Sequence, residues 1–155
     1  MATELEDLKI LQAAESISDA VWKRVVQWDE FAKDVVGKQL ARSTDSIGAN
    51  IAEAYGRFNF GEKLQFLYYA RGSLFETKYW LNRALTRELL QAEEVKSYAA
   101  RLSDVARQLN TFASSLKEQH KNTNTQPKAI RESSTEYIVD APPLFTDTEL
   151  TWLEV

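Results

Sequence analysis

Apolar residues recur along the first three quarters of the chain at spacings of three and four, the period of a helix with one buried face. From about Leu8 to Trp28 the stripe is Leu11, Ala14, Ile17, Val21, Val25 and Trp28. From about Lys33 to Tyr55 it is Val36, Leu40, Ile47, Ile51 and Ala54. A third segment begins near Glu62 and carries Leu64, Leu67, Leu74, Leu81 and Leu85, beside a second stripe of Phe66, Ala70, Ser73, Thr77, Trp80 and Ala84. The fourth, about Ala92 to Leu116, reads Val95, Ala99, Leu102, Ala106, Leu109, Ala113 and Leu116. No segment shows the β-branched alternation of a strand over a useful length. Gly56 is the expected end of the second helix, and Phe58–Gly61 the turn into the third. Thr86–Gln91 holds the next boundary although no strong breaker marks it. Helices of about 20 residues, each ~30 Å long, with short connections favour antiparallel neighbours. The predicted fold is all-α, an up-down-up-down four-helix bundle over residues 1–119.

Two further patterns modify this picture. Gly37, Ala41, Thr44, Gly48 and Ala52 put a face of small residues on the second helix, where each glycine costs about 1 kcal/mol relative to alanine. Tight packing against another helix is the expected reason. After Gln119 the periodicity stops, and Lys121–Glu136 is polar, with the run Asn122-Thr-Asn-Thr-Gln-Pro127 of a linker. Residues 120–155 are thus a polar linker followed by an acidic, aromatic, partly irregular tail. In that tail Thr146 is placed to cap a short helix. Tyr137, Leu144, Phe145, Leu150, Trp152 and Leu153 would be unfavourable in water and are candidate docking residues. Their seat is either this protein, a sister subunit or a separate partner.

Composition excludes several function classes. There is no cysteine among the 155 residues, which removes disulfides, thiolate zinc sites and thiol nucleophiles. The single histidine, His120, leaves no Ser-His-Asp triad or polyhistidine metal site in the helical part. No catalytic residue, metal or cofactor is expected. The N-terminal residues are acidic and lack an apolar signal core, and no stretch approaches the ~18 apolar residues of a membrane helix. A cytoplasmic protein without membrane contact is expected.

The net charge of −4 is unevenly spread. Residues 33–88 carry nine basic against six acidic side chains, whereas residues 1–32 carry three against seven. Within the basic middle, Lys38, Arg42, Arg57, Lys63, Arg71, Lys78 and Arg83 are candidate phosphate contacts. They are interleaved with Tyr55, Phe58, Phe60, Phe66, Tyr68, Tyr69, Phe75, Tyr79 and Trp80. Bases stack on aromatic rings while cations neutralise phosphates, so the mixture suits single-stranded nucleic acid. The same aromatics equally suit a core or a subunit interface. No glycine-rich phosphate loop or DNA-reading motif is present.

Arg42, Ser46, Asn50, Glu53 and Arg57 follow one another by three or four, on one face of the second helix, and Arg71, Ser73, Glu76 and Lys78 cluster on the third. In a structural reading Ser46, Asn50 and Ser73 satisfy one another across helices while Glu53 and Glu76 pair with Arg42, Arg57 or Arg71. In a functional reading Glu53 and Glu76 are an acid/base or metal pair, although the Glu-x-x-His repeats of di-iron bundles are missing.

The run Gln39-Leu-Ala-Arg-Ser-Thr-Asp-Ser-Ile-Gly-Ala-Asn-Ile-Ala-Glu-Ala-Tyr-Gly-Arg57, followed by Phe66-Leu-Tyr-Tyr-Ala-Arg-Gly-Ser-Leu-Phe-Glu-Thr77, resembles a family of small bacterial four-helix-bundle proteins. Some members of that family are encoded in intervening sequences of large-subunit ribosomal RNA genes. The shared patterns are Ser-Ile-x-x-Asn-Ile-Ala-Glu-x-x-Gly-Arg and Ala-x-Gly-Ser-x-x-Glu, over a resemblance spanning about Leu8 to Leu116. Ala54 stands where the family usually has glycine. The resemblance implies an antiparallel bundle and a homopentameric ring, without an established catalytic activity. A related accessory protein of diversity-generating retroelements works with a reverse transcriptase and is thought to bind nucleic acid through a basic surface. Arg42, Ser46, Asn50, Glu53, Arg57, Ser73 and Glu76 occupy the motif positions. The expectation is therefore a non-enzymatic, self-assembling bundle that binds RNA or a ribonucleoprotein partner through its basic middle. The alternative is a protein-interaction scaffold whose tail docks on a partner or neighbouring subunit.

Overall fold

The computed structural model describes residues 2–123 and 142–155, with side chains in the first helix from Lys9 onward. Helix α1 is Ala2–Val25, α2 the single turn Glu30–Ala32, α3 Lys38–Gly56, α4 Phe60–Thr86, α5 Ala92–Thr123 and α6 Asp147–Glu154. A π-helical turn, Lys33–Gly37, joins α2 to α3, so that the three form one continuous rod. Among the described residues there is no strand, and no helix is long and apolar enough to cross a membrane. The packing pairs are α1 with α3, α3 with α4, α4 with α5, and α5 with α1, which closes an antiparallel four-helix bundle. Its register is visible in Ser43–Thr77 and Ala54–Lys63 between α3 and α4, and in Ser16–Arg101 and Arg24–Glu94 between α1 and α5.

The predicted stripes meet in the middle. Ile17, Leu40, Ile47, Ile51, Leu64, Leu67, Leu74, Leu81, Leu102 and Leu109 are essentially inaccessible. Each contributes about 1.5–3 kcal/mol by leaving water. Four stripe positions differ: Leu11, Phe66 and Trp80 are half-buried and Leu85 is exposed. The small-residue face also resolves by position. A methyl group at Gly37 would stand 2.7 Å from Val25 Cγ1, so any side chain there would have to push Val25 aside. At Gly48 it would meet Ala14 and Leu11 at an ordinary 3.8 Å, and Ala52 is exposed.

The boundary without a sequence breaker ends in a Schellman motif. Leu89 N donates to Ala84 O at 2.9 Å and Glu88 N to Leu85 O at 3.1 Å, with Glu88 at φ 60°, the left-handed conformation usually given to glycine. Arg24 fastens this turn to α1 by donating to Glu94 at 2.6 Å and to Leu89 O at 3.2 Å. Glu94 in turn accepts from Gln91 N at 2.8 Å, satisfying a donor at the start of α5.

The last fourteen residues dock on the bundle's own surface, along α5 and the neighbouring face of α4. Leu144, Phe145 and Leu153 are buried, and Leu150 is half-buried against the core. The Asn110 side chain clamps the Phe145 backbone, donating to its carbonyl at 2.9 Å and accepting from its N–H at 2.8 Å. Thr146 and Glu149 form a capping box at the start of α6. Phe75 stacks on both Phe145 and Trp152, with ring centroids 5.8 and 5.5 Å apart. Tyr137 lies outside the described residues.

Candidate nucleic-acid interface

The connection between α3 and α4 is only three residues long, and this fixes what it presents. Arg57 leaves α3 in an extended conformation, and Asn59 caps α4 by accepting from Gly61 N at 2.8 Å and Glu62 N at 3.3 Å. Between these two fixed residues Phe58 has no surface to fold onto and is fully exposed. Tyr55, one turn earlier, is about half exposed. Arg57 is held between the Glu53 carboxylate, 3.3 Å away, and the Phe66 ring, whose centroid lies 4.8 Å from the guanidinium. Phe66 meets Tyr69 edge to face.

On the other side of the turn the last coils of α5 complete the end of the bundle. Phe60 and His120 stack face to face, with centroids 4.2 Å apart and planes 7° from parallel. Phe58, Phe60, Lys63, Leu116 and His120 line one open recess. Lys63 Nζ donates to the carbonyls of Ala54 and Tyr55 at 3.2 and 3.0 Å, which places a cation at the negative end of the α3 dipole. Lys117 and Lys121 follow one another by one turn of α5. Burial pushes the Lys117 ammonium down from the ordinary lysine range, with the neighbouring Lys121 charge adding to the effect. Aromatic faces and cations therefore share one end of the molecule: Tyr55, Phe58, Phe60, Phe66 and His120 with Arg57, Lys63, Lys117 and Lys121. Such an array can stack unpaired bases and neutralise phosphates.

Only part of the basic set expected from the sequence belongs to it. Arg57 and Lys63 sit at this end. Lys38 and Arg83 sit at the other end of the α3–α4 hairpin, about 28 Å away along the helix. Lys38 pairs with Asp34 at 2.6 Å, and Arg83 is half-buried beside Thr86. Arg42 is exposed near that far end. Arg71 is engaged by the tail: it donates to Leu144 O at 2.7 Å and to Glu149, with its guanidinium 4.8 Å above Phe75. Lys78 departs most from expectation. It is 1% exposed and its Nζ has no hydrogen-bond partner, so as placed it reaches no phosphate. Desolvation pushes its pKa below the usual lysine value.

The motif residues shared with the resembling family are also placed differently from the expected network. Ser46 donates to Arg42 O, Asn50 to Ser46 O and Ser73 to Tyr69 O, each within its own helix. A hydroxyl or amide inside a helix has its own i−4 carbonyl in reach, and that local partner wins over a distant one. Between α3 and α4 a hydroxyl bond runs instead from Thr77 to Ser43, 3.1 Å and buried. Glu53 does pair with Arg57, whereas Glu76 accepts a 3.4 Å bond from Trp80 Nε1. Among the described residues no three His, Asp or Glu side chains gather where a metal could bind.

The α5 contribution carries no apolar mark, because the buried stripe ends at Leu116 while the helix runs on to Thr123. The signal available was the Lys117–His120–Lys121 spacing of three and four, which puts these three on one face.

The family model described as 23S rRNA-intervening sequence protein matches residues 6–111. No curated protein matches the chain. Among solved structures, the chain is similar to a protein with unknown function from the S23 ribosomal protein family of Bacteroides thetaiotaomicron. The identity is 23%, the alignment covers 70% of this chain and 97% of that one, and the TM-score is 0.63. That likeness is one of fold.

Proposed function

The chain belongs to the 23S rRNA-intervening sequence protein family, and from that premise we propose that it is a non-catalytic, cytoplasmic, self-assembling bundle that binds single-stranded RNA at the α3–α4 turn. The observation that carries this reading is the exposed Phe58, next to Arg57 and lining one open recess with Lys63 and the Phe60–His120 stack. Base–aromatic stacking is worth about 1–3 kcal/mol per base and tolerates any sequence. The acidic net charge does not oppose it, because the acids lie mostly in residues 1–32 and 120–155. Self-assembly, into the five-membered ring that the resemblance implies, is supported by apolar side chains left in solvent. Trp22 and Val26 at the end of α1, Phe31 and Val35 beyond the turn, and Tyr68, Tyr69 and Tyr79 on α4 are all exposed.

The reading is tested by ultraviolet crosslinking of a uridine-rich oligonucleotide to the full chain, with peptide mapping by mass spectrometry. Adducts on Tyr55, Phe58 or His120 are expected, and Phe58→Ala should reduce their yield several-fold. Adducts confined to other faces, or none above background at low salt, refute it.

A further inference from the structure

We propose that the groove between α4 and α5 is a peptide-docking site whose occupant, in the assembly, is the C-terminal segment of a second copy of this chain. The inference rests on the self-assembly proposed above, and on the RNA reading not at all.

The groove recognises a segment by three independent means. Apolar sockets take Leu144, Phe145 and Leu153 completely. Asn110 reads backbone, with both of its amide atoms bonded to Phe145. Two arginines on different helices read charge: Arg71 of α4 takes Glu149, and Arg107 of α5 takes Glu154, which Ser103 also holds at 3.1 Å. The match therefore specifies two adjacent apolar residues, a capped acidic turn, and a leucine–glutamate pair four and five positions on. An apolar socket, a backbone clamp and paired charges are how a folded domain recognises a helical peptide.

The span from the end of α5 back to the groove is short. Pro142 O lies 3.5 Å from Lys117 Nζ, and the last described residue of α5, Thr123, is only six residues further along the helix, about 9 Å. Residues 124–141 supply 18 residues for that short return, and a chain of that length reaches up to about 60 Å. A copy packed alongside, one bundle-width away, is well inside that reach. The four bundle helices also pack directly on one another. The family match ends at residue 111, and the similar Bacteroides structure is covered over 97% of its length by 70% of this chain. The segment lies beyond the family match and is joined by more chain than the return to its own groove requires. Each copy then offers one groove and one segment, so exchange around a closed assembly leaves no groove empty.

The chain has no cysteine, so Val155→Cys, at an 88% exposed terminal position, takes a single nitroxide label. Labelled chain without ¹⁵N is mixed in equal amount with unlabelled ¹⁵N parent, after sedimentation has established the assembly. Exchange predicts that the amides of Ser103–Arg107 in the ¹⁵N chains lose roughly half their intensity, because half the grooves then receive a labelled segment. Broadening seen only when label and ¹⁵N share one chain overturns the exchange while leaving self-assembly intact. A monomer by sedimentation overturns both. Neither result bears on RNA crosslinking, so the two proposals fail separately.

Discussion

Lys78→Met should make the protein more stable, and the gain should shrink as pH rises. The lysine stem lies in the bundle at 1% exposure, and its Nζ finds no acceptor. An orphaned polar group costs about 1–3 kcal/mol, since its bonds to water are lost and not replaced. Methionine has a similar length and flexibility, fills the same space, and carries no donor. A gain of about 1–3 kcal/mol follows, or roughly 2–12 °C in Tm for a chain of this size. The pH dependence comes from the charged form. Desolvation holds the folded-state pKa below 10.5, so between that lowered value and 10.5 the unfolded chain binds a proton that the folded chain does not. Stability of the parent therefore rises with pH across that window, while below it the penalty of the buried charge is constant. Lys78→Met removes this dependence. Tyr98, whose pKa is raised chiefly by burial, acts in the opposite sense at alkaline pH, but it is present in both proteins and cancels in the difference. Urea denaturation of parent and variant at a series of pH values from 7 to 10 gives that difference directly. A variant less stable than the parent, by an amount that does not change with pH, refutes the reasoning and means that Nζ is satisfied.

Other perturbations probe separate parts of the fold. Glu88→Gly should raise stability by about 1 kcal/mol in a thermal melt, because glycine takes the φ of 60° at no steric cost; an unchanged or lower Tm contradicts the Schellman assignment. Gly37→Ala and Gly72→Ala should diverge in the same melts. The first forces a methyl within 2.7 Å of Val25 and should destabilise by about 1–3 kcal/mol. The second meets nothing within 4 Å and should gain up to about 1 kcal/mol of helix propensity. Acidification should release α6 before the bundle. Glu149 is held below the usual carboxylate pKa chiefly by the Thr146 N–H and also by Arg71, and Glu154 chiefly by Arg107. Their contribution is complete above the unfolded value of 4.5 and is lost as pH falls through the lower folded values. Hydrogen exchange should therefore quicken at Glu149–Leu153 while Leu67 and Leu102 remain protected.

The bundle is legible in the sequence because a period of three and four is a local property. Leu64, Leu67, Leu74 and Leu81 announce their face without reference to any other helix. Features set by neighbours are not legible in this way. The π turn at Lys33–Gly37 leaves no compositional mark, and Gly37 is explained only once Val25 is opposite it. The α4–α5 boundary is hidden because glutamate, a good helix former, occupies the position that glycine usually signals. Lys78 misleads for a physical reason: lysine is almost never buried without a partner, so a basic residue among aromatics reads as surface. Arg71 is legible as a cation, but its partner lies 78 positions away in a segment whose seat no local pattern predicts. The candidate site is likewise half legible. Phe58 and Arg57 sit at a visible turn, whereas Phe60 and His120 meet only because α5 returns to it.

Fluorescence anisotropy of a labelled single-stranded RNA across salt concentrations, for the parent and for Phe58→Ala and Arg57→Glu, decides whether the proposed aromatic and basic end of the bundle binds RNA. With three or four phosphates neutralised per copy, the log–log salt slope should be about −2 to −3 per copy. Phe58→Ala should weaken binding about tenfold with the slope unchanged, a loss of stacking worth about 1–3 kcal/mol. Arg57→Glu should weaken binding and flatten the slope. Parent-like binding by both variants, or no binding by the parent at low salt, contradicts the account.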